Sequence, residues 1–482
     1  MTMAKCEPLE AMRARLENAG QSHLLRHHET LSNAGQARLV DQVVAIDWDE
    51  LTSLSASHVF AEPSAPLPPD LQPPKAYPRD PAPSQEAIYT RARAAGEALV
   101  RAGKVAVFTV AGGQGSRLGH DAPKGTYPTT PIRRQSIFGV IAESICKAQS
   151  KYGGLVPWYI MTSASNDAGT RAYLVEHDHF GLEPNQVMLF PQGMMPALDA
   201  ATGRVLLAAK DTLALSPNGH GGAFRALVAS GAVDDMRRRG VEQISYTQVD
   251  NPLACVVDPL FLGLHVSDGG QMSSKALPKT SPDEKVGVFA ASGEKMMVIE
   301  YSDMPTDLAA QRDAAGALNF RLGSIAIHAI AVDLVASLGD RGGGLPFHRA
   351  VKKVDYFDLE QGCVVRPETP NAVKLEMFVF DALPICDRSI VYETDRVEEF
   401  APIKNADAAS LGDSVDSPYT SRTLQIERAA RWLESHGVTV SRGPGGCVEA
   451  TIEISPLTAV EAADLTSVSL PACIESGEEV LL

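Results

Sequence analysis

The chain has 482 residues, of which 44% are hydrophobic and 21% are charged, a composition typical of globular proteins. Its formal net charge of −16, without a long Lys/Arg block, argues against nucleic acid or an anionic membrane surface as a partner. The length predicts two or three domains.

The seven cysteines are scattered and none forms a CxxC pair, which predicts free or buried thiols in a reducing compartment. The charged N-terminal segment lacks the apolar stretch of a signal peptide. No apolar run approaches the roughly twenty residues that a membrane-spanning helix needs. We therefore expect a cytoplasmic protein that binds neither a membrane nor nucleic acid.

The N-terminal region is predicted to be helical. Residues 5 to about 57 carry leucine and methionine at helical spacing, with breaks at Gly20 and near Gly35. Residues 62–84 are proline-rich, which excludes a helix or a central strand and predicts an extended connection. We expect a helical N-terminal lobe with a proline-rich linker over residues 1–95.

From residue 103 the pattern alternates between apolar runs typical of buried strands and segments with helical spacing. The predicted strands are 105–110, 156–162, 187–190, 244–249 and 286–290. The predicted helices are 136–149 and 223–239. This alternation predicts an α/β domain over residues 96–410 with a central doubly wound, mixed and mostly parallel sheet. In such sheets ligands bind beyond the carboxyl ends of the strands.

The pattern changes after about residue 410. Residues 420–436 have the spacing of one amphipathic helix, and the segments that follow are short, β-prone and separated by glycine turns. We expect a small α+β C-terminal lobe over residues 411–482.

A glycine-rich loop at residues 110–125, VAGGQGSRLGHDAPKG, follows the first strand of the predicted sheet. Its glycines let the backbone turn sharply and approach a ligand, and Arg117 and Lys124 add positive charge. The spacing fits neither a Walker loop nor the dinucleotide fingerprint, because Lys124 precedes a glycine and Gly119 falls one residue late. The loop therefore predicts a binding site for the phosphates of a nucleoside triphosphate.

Asp250 follows the predicted strand 244–249. A carboxylate at a strand end can hold Mg²⁺, which keeps most of its waters and takes further oxygens from phosphates. The alternative is an Asx cap in the turn. No second protein ligand for a metal is evident in the sequence.

The glycine loop resembles the LxxGGxGTxLGxxxPKG signature of eukaryotic-type UDP-sugar pyrophosphorylases, with Ser116 in place of the usual threonine. Further segments match this family in order, and in particular its UDP-N-acetylglucosamine branch. They read WYIMTS at 158–163, FPQ at 190–192 followed by Pro196, PNGHGG at 217–222, VDN at 249–251, EYS at 300–302, FVFD at 378–381 and EFAPIKN at 399–405. The resemblance covers most of residues 10–425 and implies a Rossmann-like nucleotidyltransferase core.

The resemblance implies a Mg²⁺-assisted uridylyltransferase that converts UTP and N-acetylglucosamine-1-phosphate into UDP-N-acetylglucosamine and pyrophosphate by in-line attack. It implies that Arg117 and Lys124 neutralise the triphosphate and that Lys404 holds the sugar phosphate. The implied nucleotide contacts are Ala111, Gly112, Gly113, Gly115, Lys124, Gln192, Gly221, Gly222 and Asp250, and Asp250 is also the implied metal ligand. The implied sugar contacts are His220, Asn251, Glu300, Tyr301, Ser324 and Phe380.

Lys404 is also singled out by its neighbours. It follows the apolar residues Phe400–Ile403, and an unpaired ammonium group is costly in an apolar setting. We therefore expect a functional role for Lys404 and not a solvated surface charge.

Two positions depart from the N-acetylglucosamine pattern. His220 stands in place of the usual Asn, in a GHG form that is similar to the UDP-glucose branch, and Ser324 stands in place of the Asn of the sugar-binding GNI motif. A UDP-glucose or broad-specificity UDP-sugar pyrophosphorylase therefore stays open as an alternative. A non-catalytic nucleotide sensor is a further alternative from another class. The expected partners are UTP and a hexose or hexosamine 1-phosphate, in a monomer or a weak homo-oligomer.

Overall fold

The computed structural model describes residues 8–61, 67–340 and 344–482. The expectations for residues 5–7 and 62–66, and for the Cys6 thiol, lie outside the described residues. Contacts between Cα atoms group the chain into two compact units, each discontinuous in sequence. The insert unit comprises Met1–Leu67, Gly193–Gly222 and Leu345–Val379, and the core unit comprises Pro68–Gln192, Ala223–Gly344 and Phe380–Leu482. The lobe boundaries expected from the sequence, 1–95, 96–410 and 411–482, stay predictions.

The α-helices of the described residues are α1 Leu9–Asn18, α2 Asn33–Val44, α3 Trp48–His58, α4 Glu86–Arg101, α5 Ile137–Tyr152, α6 Asp167–Glu176, α7 Ala223–Ala229, α8 Ala232–Arg239, α9 Pro259–Ser267, α10 Thr306–Ala309, α11 Val332–Asp340, α12 Arg396–Glu399 and α13 Pro418–Glu434. The strands are β1 Ala76–Tyr77, β2 Val105–Val110, β3 Trp158–Thr162, β4 Val187–Pro191, β5 Met194–Pro196, β6 Leu198–Asp199, β7 Leu207–Ala209, β8 Thr212–Leu213, β9 Leu215–Pro217, β10 Gln243–Gln248, β11 Met272–Pro278, β12 Val288–Ser292, β13 Lys295–Ile299, β14 Leu322–Ala331, β15 Phe347–Lys352, β16 Tyr356–Asp358, β17 Cys363–Val365, β18 Ala372–Met377, β19 Val391–Glu393, β20 Thr439–Val440, β21 Thr451–Glu453, β22 Cys473–Ile474 and β23 Glu479–Leu481.

The core unit is built on one large sheet with the strand order β1-β19-β11-β14-β10-β2-β3-β4. Along this path β14 runs antiparallel to both β10 and β11, and every other neighbouring pair is parallel. The hairpin β12–β13 joins the sheet through the pairing of Val288 with Gly323. The α/β class with a mixed, mostly parallel central sheet is thereby confirmed.

Helices cover both faces of this sheet. Val105 and Val107 of β2 and Trp158 of β3 belong to one buried cluster with side chains from α4, α5 and α9. On β3 the next side chain, Tyr159, points the other way, and its hydroxyl donates to Asp235 of α8 at 2.7 Å. Because neighbouring side chains of a strand face opposite sides, strands buried on both faces read as continuous apolar runs.

Most predicted elements occur close to their expected bounds. Strand 105–110 has the predicted bounds, and the predicted strand 286–290 forms β12 two residues later. The predicted helix 223–239 is wrong as a single element, because it is broken into α7 and α8. Gly231 adopts a left-handed φ of 77° between the two helices, a conformation that no α-helix continues through.

The insert unit combines the N-terminal helices with short strands. Strands β15, β18 and β6 form an antiparallel three-stranded sheet, and β5 pairs with β9. Gln42 of α2 accepts a hydrogen bond from the Leu213 N–H at 2.8 Å, which ties the helices to the strands. Among the described residues no helix combines the length and the apolar character that crossing a bilayer requires.

Helices α4 and α9 cross in the core unit with their backbones in contact. A methyl group on Gly263 would lie 1.7 Å from the carbonyl oxygen of Ala92, and one on Gly96 would lie 1.8 Å from that of Pro259. Only glycine fits these two positions, because the obstacle is backbone and cannot rotate away. The crossing brings α9, and therefore Asp258 at its N-terminus, against the sheet.

We expect Gly263→Ala to lower the free energy of unfolding by about 3 kcal/mol or more, because the added methyl forces the two helices apart. Gly412→Ala is the matched control, since its new methyl would meet nothing closer than Ser410 Oγ at 4.0 Å. That control should stay within about 0.5 kcal/mol of the wild type. Urea unfolding measures both, and equal effects would contradict the proposed crossing.

Candidate active site

The glycine loop begins where β2 ends and is folded back on itself. Gly115 N–H donates to Ala122 at 2.9 Å and Lys124 N–H donates to Gly113 at 3.1 Å. The Asn166 amide donates to the carbonyl oxygens of Ala111 at 2.8 Å and Gly113 at 3.1 Å. Asn166 is therefore part of the loop's support, although sequence reasoning did not single it out.

The amides of the loop are available to a ligand. The N–H groups of Gly112 and Gly113 donate to no group in the part of the chain that the structure describes. Gly112 also has no room for a side chain, because a methyl there would lie 2.4 Å from Gln192 Nε2. Exposed amide N–H groups on a glycine backbone are suited to phosphate oxygens.

Gln192 lies at the end of β4, beside this loop. Its backbone N–H donates to Thr162 at 2.8 Å, which anchors it to the end of β3. The residue is 9% exposed, and its side-chain amide has no hydrogen-bond partner among residues 8–61, 67–340 and 344–482. A largely buried amide with an unused donor and acceptor is suited to the edge of a base.

Ile403 joins the glycine loop to the end of β10. Its N–H donates to the carbonyl of Asp250 at 2.8 Å, and its own carbonyl accepts from Lys124 Nζ at 3.3 Å. Val249 N–H donates to Val110 at 3.0 Å, which keeps the ends of β10 and β2 together. The structure therefore brings Lys124, Asp250 and the segment that ends in Lys404 to one place.

The Asp250 carboxylate makes no hydrogen bond or ion pair with any residue that the structure describes. Those residues also contain no cluster of three or more His, Cys, Asp or Glu that could enclose a metal ion. One free carboxylate at a strand end fits Mg²⁺, which takes few protein ligands and completes its shell with water and phosphate oxygens. It does not fit a closed zinc-type site, which needs four ligands from the protein.

Asn251 has a different environment from the one expected of a sugar contact. Its side-chain oxygen accepts from Ala401 N–H at 3.0 Å and its amide donates to the Glu399 carbonyl at 2.7 Å. The residue is 6% exposed. Its amide therefore holds the 399–401 segment against the turn after β10.

Lys404 is half-exposed, so the apolar setting expected from its neighbours is wrong. Residues 400–403 are all buried, and Lys404 is the first partly exposed residue after them. Its ammonium is paired with Asp416 at 3.3 Å and lies 5.7 Å from the centre of the Phe400 ring.

Arg117 is exposed in the turn Ser116–Leu118 and is linked by no hydrogen bond or ion pair to the described residues.

A buried ion cluster lies under this segment and was not predicted from the sequence. Lys275 of β11 is fully buried, and its Nζ lies 2.6 Å from both Asp258 Oδ2 and Glu399 Oε1. Burial alone would lower the pKa of Lys275, but the two carboxylates outweigh it and raise that pKa. Lys275 is therefore charged, and it holds Glu399 at the start of the segment that ends in Lys404.

Three of the residues expected at the sugar lie at β13 and β14: Glu300 and Tyr301 directly follow β13, and Ser324 lies on β14. Ser324 N–H donates to the Gly287 carbonyl at 2.7 Å, and a methyl on Gly287 would lie 3.3 Å from Glu300 Oε1. Glu300 and Ser324 are thus close to the same residue. Tyr301 is half-exposed, and Phe380 is buried in the turn that follows β18.

His220 and its two glycines belong to the insert unit. The His220 Nδ1 accepts from Val379 N–H at 3.1 Å, and its ring stacks on Phe378 at 5.4 Å. Burial, with a smaller contribution from His348, lowers the pKa of His220 to about 4, so the ring is neutral with its proton on Nε2. Gly221 is pressed against the chain at 377–378, and Gly222 against Asn218.

Comparisons with known proteins agree with this arrangement. The family model described as UTP–glucose-1-phosphate uridylyltransferase matches residues 72–436, which include the glycine loop, Asp250 and Lys404. UDP-N-acetylglucosamine pyrophosphorylase of Saccharomyces cerevisiae is 38% identical over 348 residues, covering 71% of this chain and 72% of the yeast protein. UDP-N-acetylhexosamine pyrophosphorylase-like protein 1 of Mus musculus is 36% identical over 474 residues, covering 92% of each chain.

The fold is likewise similar to a solved structure. The uridine diphosphate N-acetylglucosamine pyrophosphorylase from Trypanosoma brucei, determined in complex with an inhibitor, superposes with a TM-score of 0.82. The sequences are 25% identical, and the match covers 100% of this chain and 99% of the other. The fold of this chain therefore has a counterpart in an experimental structure.

We expect Lys275→Met to lower the free energy of unfolding by about 3–5 kcal/mol, because it leaves Asp258 and Glu399 buried without a cation. The control is Lys104→Met, which removes a pair with Glu242 in which both side chains are about half exposed. That change should cost at most about 1 kcal/mol. Urea unfolding of both variants decides the matter, and similar losses would contradict the importance of the buried cluster.

Proposed function

This chain belongs to the UTP–glucose-1-phosphate uridylyltransferase family and is a UDP-sugar pyrophosphorylase, and we propose that its sugar substrate is N-acetylglucosamine-1-phosphate. The proposed products are UDP-N-acetylglucosamine and pyrophosphate. The structural observation that supports the uridylyl transfer is the pair of hydrogen bonds made by the Ile403 backbone, which joins Lys124, Asp250 and the Lys404 segment at the strand ends. The family match supports the uridylyl chemistry, and the names of the relatives support an N-acetylated sugar.

The reaction needs positioning and charge stabilisation and does not need a general base. An oxygen of the sugar phosphate, already anionic, forms a bond to the α-phosphorus of UTP, and the bond from that phosphorus to the bridging oxygen breaks. Pyrophosphate leaves with the electron pair of the broken bond. Charge builds on the phosphoryl and leaving oxygens, so catalysis rests on cations and amide donors held in place.

The proposed nucleotide roles follow from the contacts of the loop. The free N–H groups of Gly112 and Gly113 bind phosphate oxygens, and Lys124 and Arg117 neutralise the leaving pyrophosphate. Gln192 reads the edge of the uracil ring. The remaining proposed nucleotide contacts of the core unit are Ala111 and Gly115. The roles of Gly221 and Gly222, in the insert unit, stay predictions from the resemblance.

Asp250 is the proposed ligand for Mg²⁺. Bound there, the ion would neutralise the triphosphate and polarise the α-phosphate. The carboxylate is free for this role because the turn after β10 is held by its backbone and by Asn251, without use of the Asp250 side chain.

The proposed sugar site of the core unit contains Glu300, Tyr301, Ser324 and Phe380. The role of His220, in the insert unit, stays a prediction from the resemblance. Asn251 is proposed to act through the 399–401 segment, because its amide is already bonded to backbone groups there. UDP-glucose synthesis is the second candidate, favoured by His220 and Ser324 at positions where the N-acetylglucosamine pattern has Asn. A cytoplasmic location and a monomer or weak homo-oligomer are proposed with the same function.

The sugar is tested by pyrophosphate release from UTP and Mg²⁺ with four sugar 1-phosphates: N-acetylglucosamine, N-acetylgalactosamine, glucose and galactose. We expect kcat/KM for an N-acetylated sugar to exceed that for glucose by at least about tenfold, because the pocket would bind the acetamido group. A preference for glucose would favour the second candidate instead. If no pyrophosphate is released with any of the four sugars, the proposed function is contradicted and the nucleotide sensor is favoured.

The metal role is tested by Asp250→Asn. We expect kcat to fall at least about a hundredfold, because the ion supplies several kcal/mol of charge stabilisation in the transition state. Mn²⁺ binding measured by electron paramagnetic resonance, in the presence of UTP, should weaken in parallel. Asp234→Asn, an exposed carboxylate on α8, is the control and should change neither quantity. Near-normal kcat at saturating Mg²⁺ would show that Asp250 has no metal role.

A further inference from the structure

The ammonium group of Lys404 is already paired with an anion from its own chain. Asp416 Oδ2 lies 3.3 Å from Lys404 Nζ, and both side chains are partly exposed, at 30% and 44% respectively. A phosphate group that approaches Lys404 from solvent therefore meets a carboxylate on the same ammonium. Two anions beside one cation repel each other, and this repulsion opposes phosphate binding.

The backbone of Asp416 is fixed independently of its carboxylate. Its carbonyl oxygen accepts from the N–H of Lys404 at 2.6 Å and from the N–H of Asn405 at 3.0 Å. Asp416 has a left-handed φ of 48° and directly precedes Ser417, which caps α13. Aspartate and asparagine tolerate this conformation better than most residues. Removal of the charge alone therefore leaves the backbone geometry of this contact in place.

The ammonium is also held without the carboxylate. Lys404 Nζ lies 5.7 Å from the centre of the Phe400 ring, within the range of a cation–π contact. Phe400 is buried, and Asn251 fixes the backbone of Ala401 beside it. Lys404 would thus stay in position when Asp416 is neutral.

We propose that the Asp416 carboxylate is an anionic placeholder that occupies the phosphate-binding face of Lys404 until the sugar 1-phosphate displaces it. The inference rests on the proposed role of Lys404 in holding that phosphate. Asp416 is then a positioning residue that lowers the affinity for the sugar phosphate and keeps Lys404 paired between turnovers. Because Asp416 is paired with Lys404, the proposed holder of the sugar phosphate, its expected effect is on the second substrate.

The test is Asp416→Asn, which keeps the shape and the left-handed backbone and removes the charge. The KM for N-acetylglucosamine-1-phosphate should fall about two- to fivefold, the range expected for loss of a partly exposed ion pair. The KM for UTP and kcat should stay unchanged. Asp416→Gly, which also accepts a positive φ, should show the same split if the first variant folds poorly. An unchanged or raised KM for the sugar phosphate in both variants would overturn the proposal.

A matched control lies in the same segment. The Asp407 carboxylate accepts from the Tyr419 N–H at 2.8 Å, and its ion pair is with Arg422 and not with Lys404. Asp407→Asn should therefore leave the KM for the sugar phosphate at the wild-type value. In a Lys404→Met background the Asp416→Asn change should have no effect, because the carboxylate acts through the ammonium. A fall in KM that persists in that background would overturn the mechanism.

A readout without turnover separates this proposal from the proposed function. Acylation of Lys404 by an N-hydroxysuccinimide ester, followed by mass spectrometry, should increase in Asp416→Asn relative to the wild type. If Lys404 is acylated to the same extent in Asp416→Asn and in the wild type, the proposed placeholder role of Asp416 is overturned. Raised acylation in a protein that releases no pyrophosphate overturns the proposed function alone. A Lys404→Met variant with a normal KM for the sugar phosphate overturns the role of Lys404, and with it the inference.

Discussion

Two hydrogen bonds of a single residue hold the candidate site together. The Ile403 N–H binds the Asp250 carbonyl, and the Ile403 carbonyl binds the Lys124 ammonium. The side chain of Ile403 is fully buried in the same cluster as Ala111 and Val249, which flank the glycine loop and the metal candidate. Apolar burial therefore fixes the segment, and the polar backbone of the same residue aligns the groups on either side of it.

The position of Ile403 depends in turn on the ion cluster beneath it. Lys275 neutralises Asp258 and Glu399, and the backbone carbonyl of Glu399 accepts from Asn251. Because Asp258 precedes α9 and α9 crosses α4 at two glycines, the helix crossing and the strand-end turn constrain the same short segment. Buried charge and close helix packing thus set where Lys404 emerges at the surface.

The fold was largely predictable, because a strand that is buried on both faces appears in the sequence as a local run of apolar residues. Strand β2, for example, has its predicted bounds. The positions of the loop glycines and of Asp250 were predictable because each follows directly after an apolar run that forms a strand, β2 and β10 respectively. Lys275 was not, because its partner Glu399 is 124 residues away and no local pattern links them. The exposure of Lys404 was misjudged because the four apolar residues before it are buried and the chain reaches the surface only at Lys404, a change that their polarity does not signal. Asn166 carries no signal beyond its place after a strand.

The link between Lys124 and Ile403 spans 279 residues of sequence. Contacts of such long range close large loops and form late in folding, after local helices and neighbouring strands have assembled. During synthesis the glycine loop leaves the ribosome long before the segment that completes it. The nascent chain can thus form most of its sheet while the phosphate-binding loop still lacks Ile403. The order of translation therefore allows the sheet to form before the site is complete.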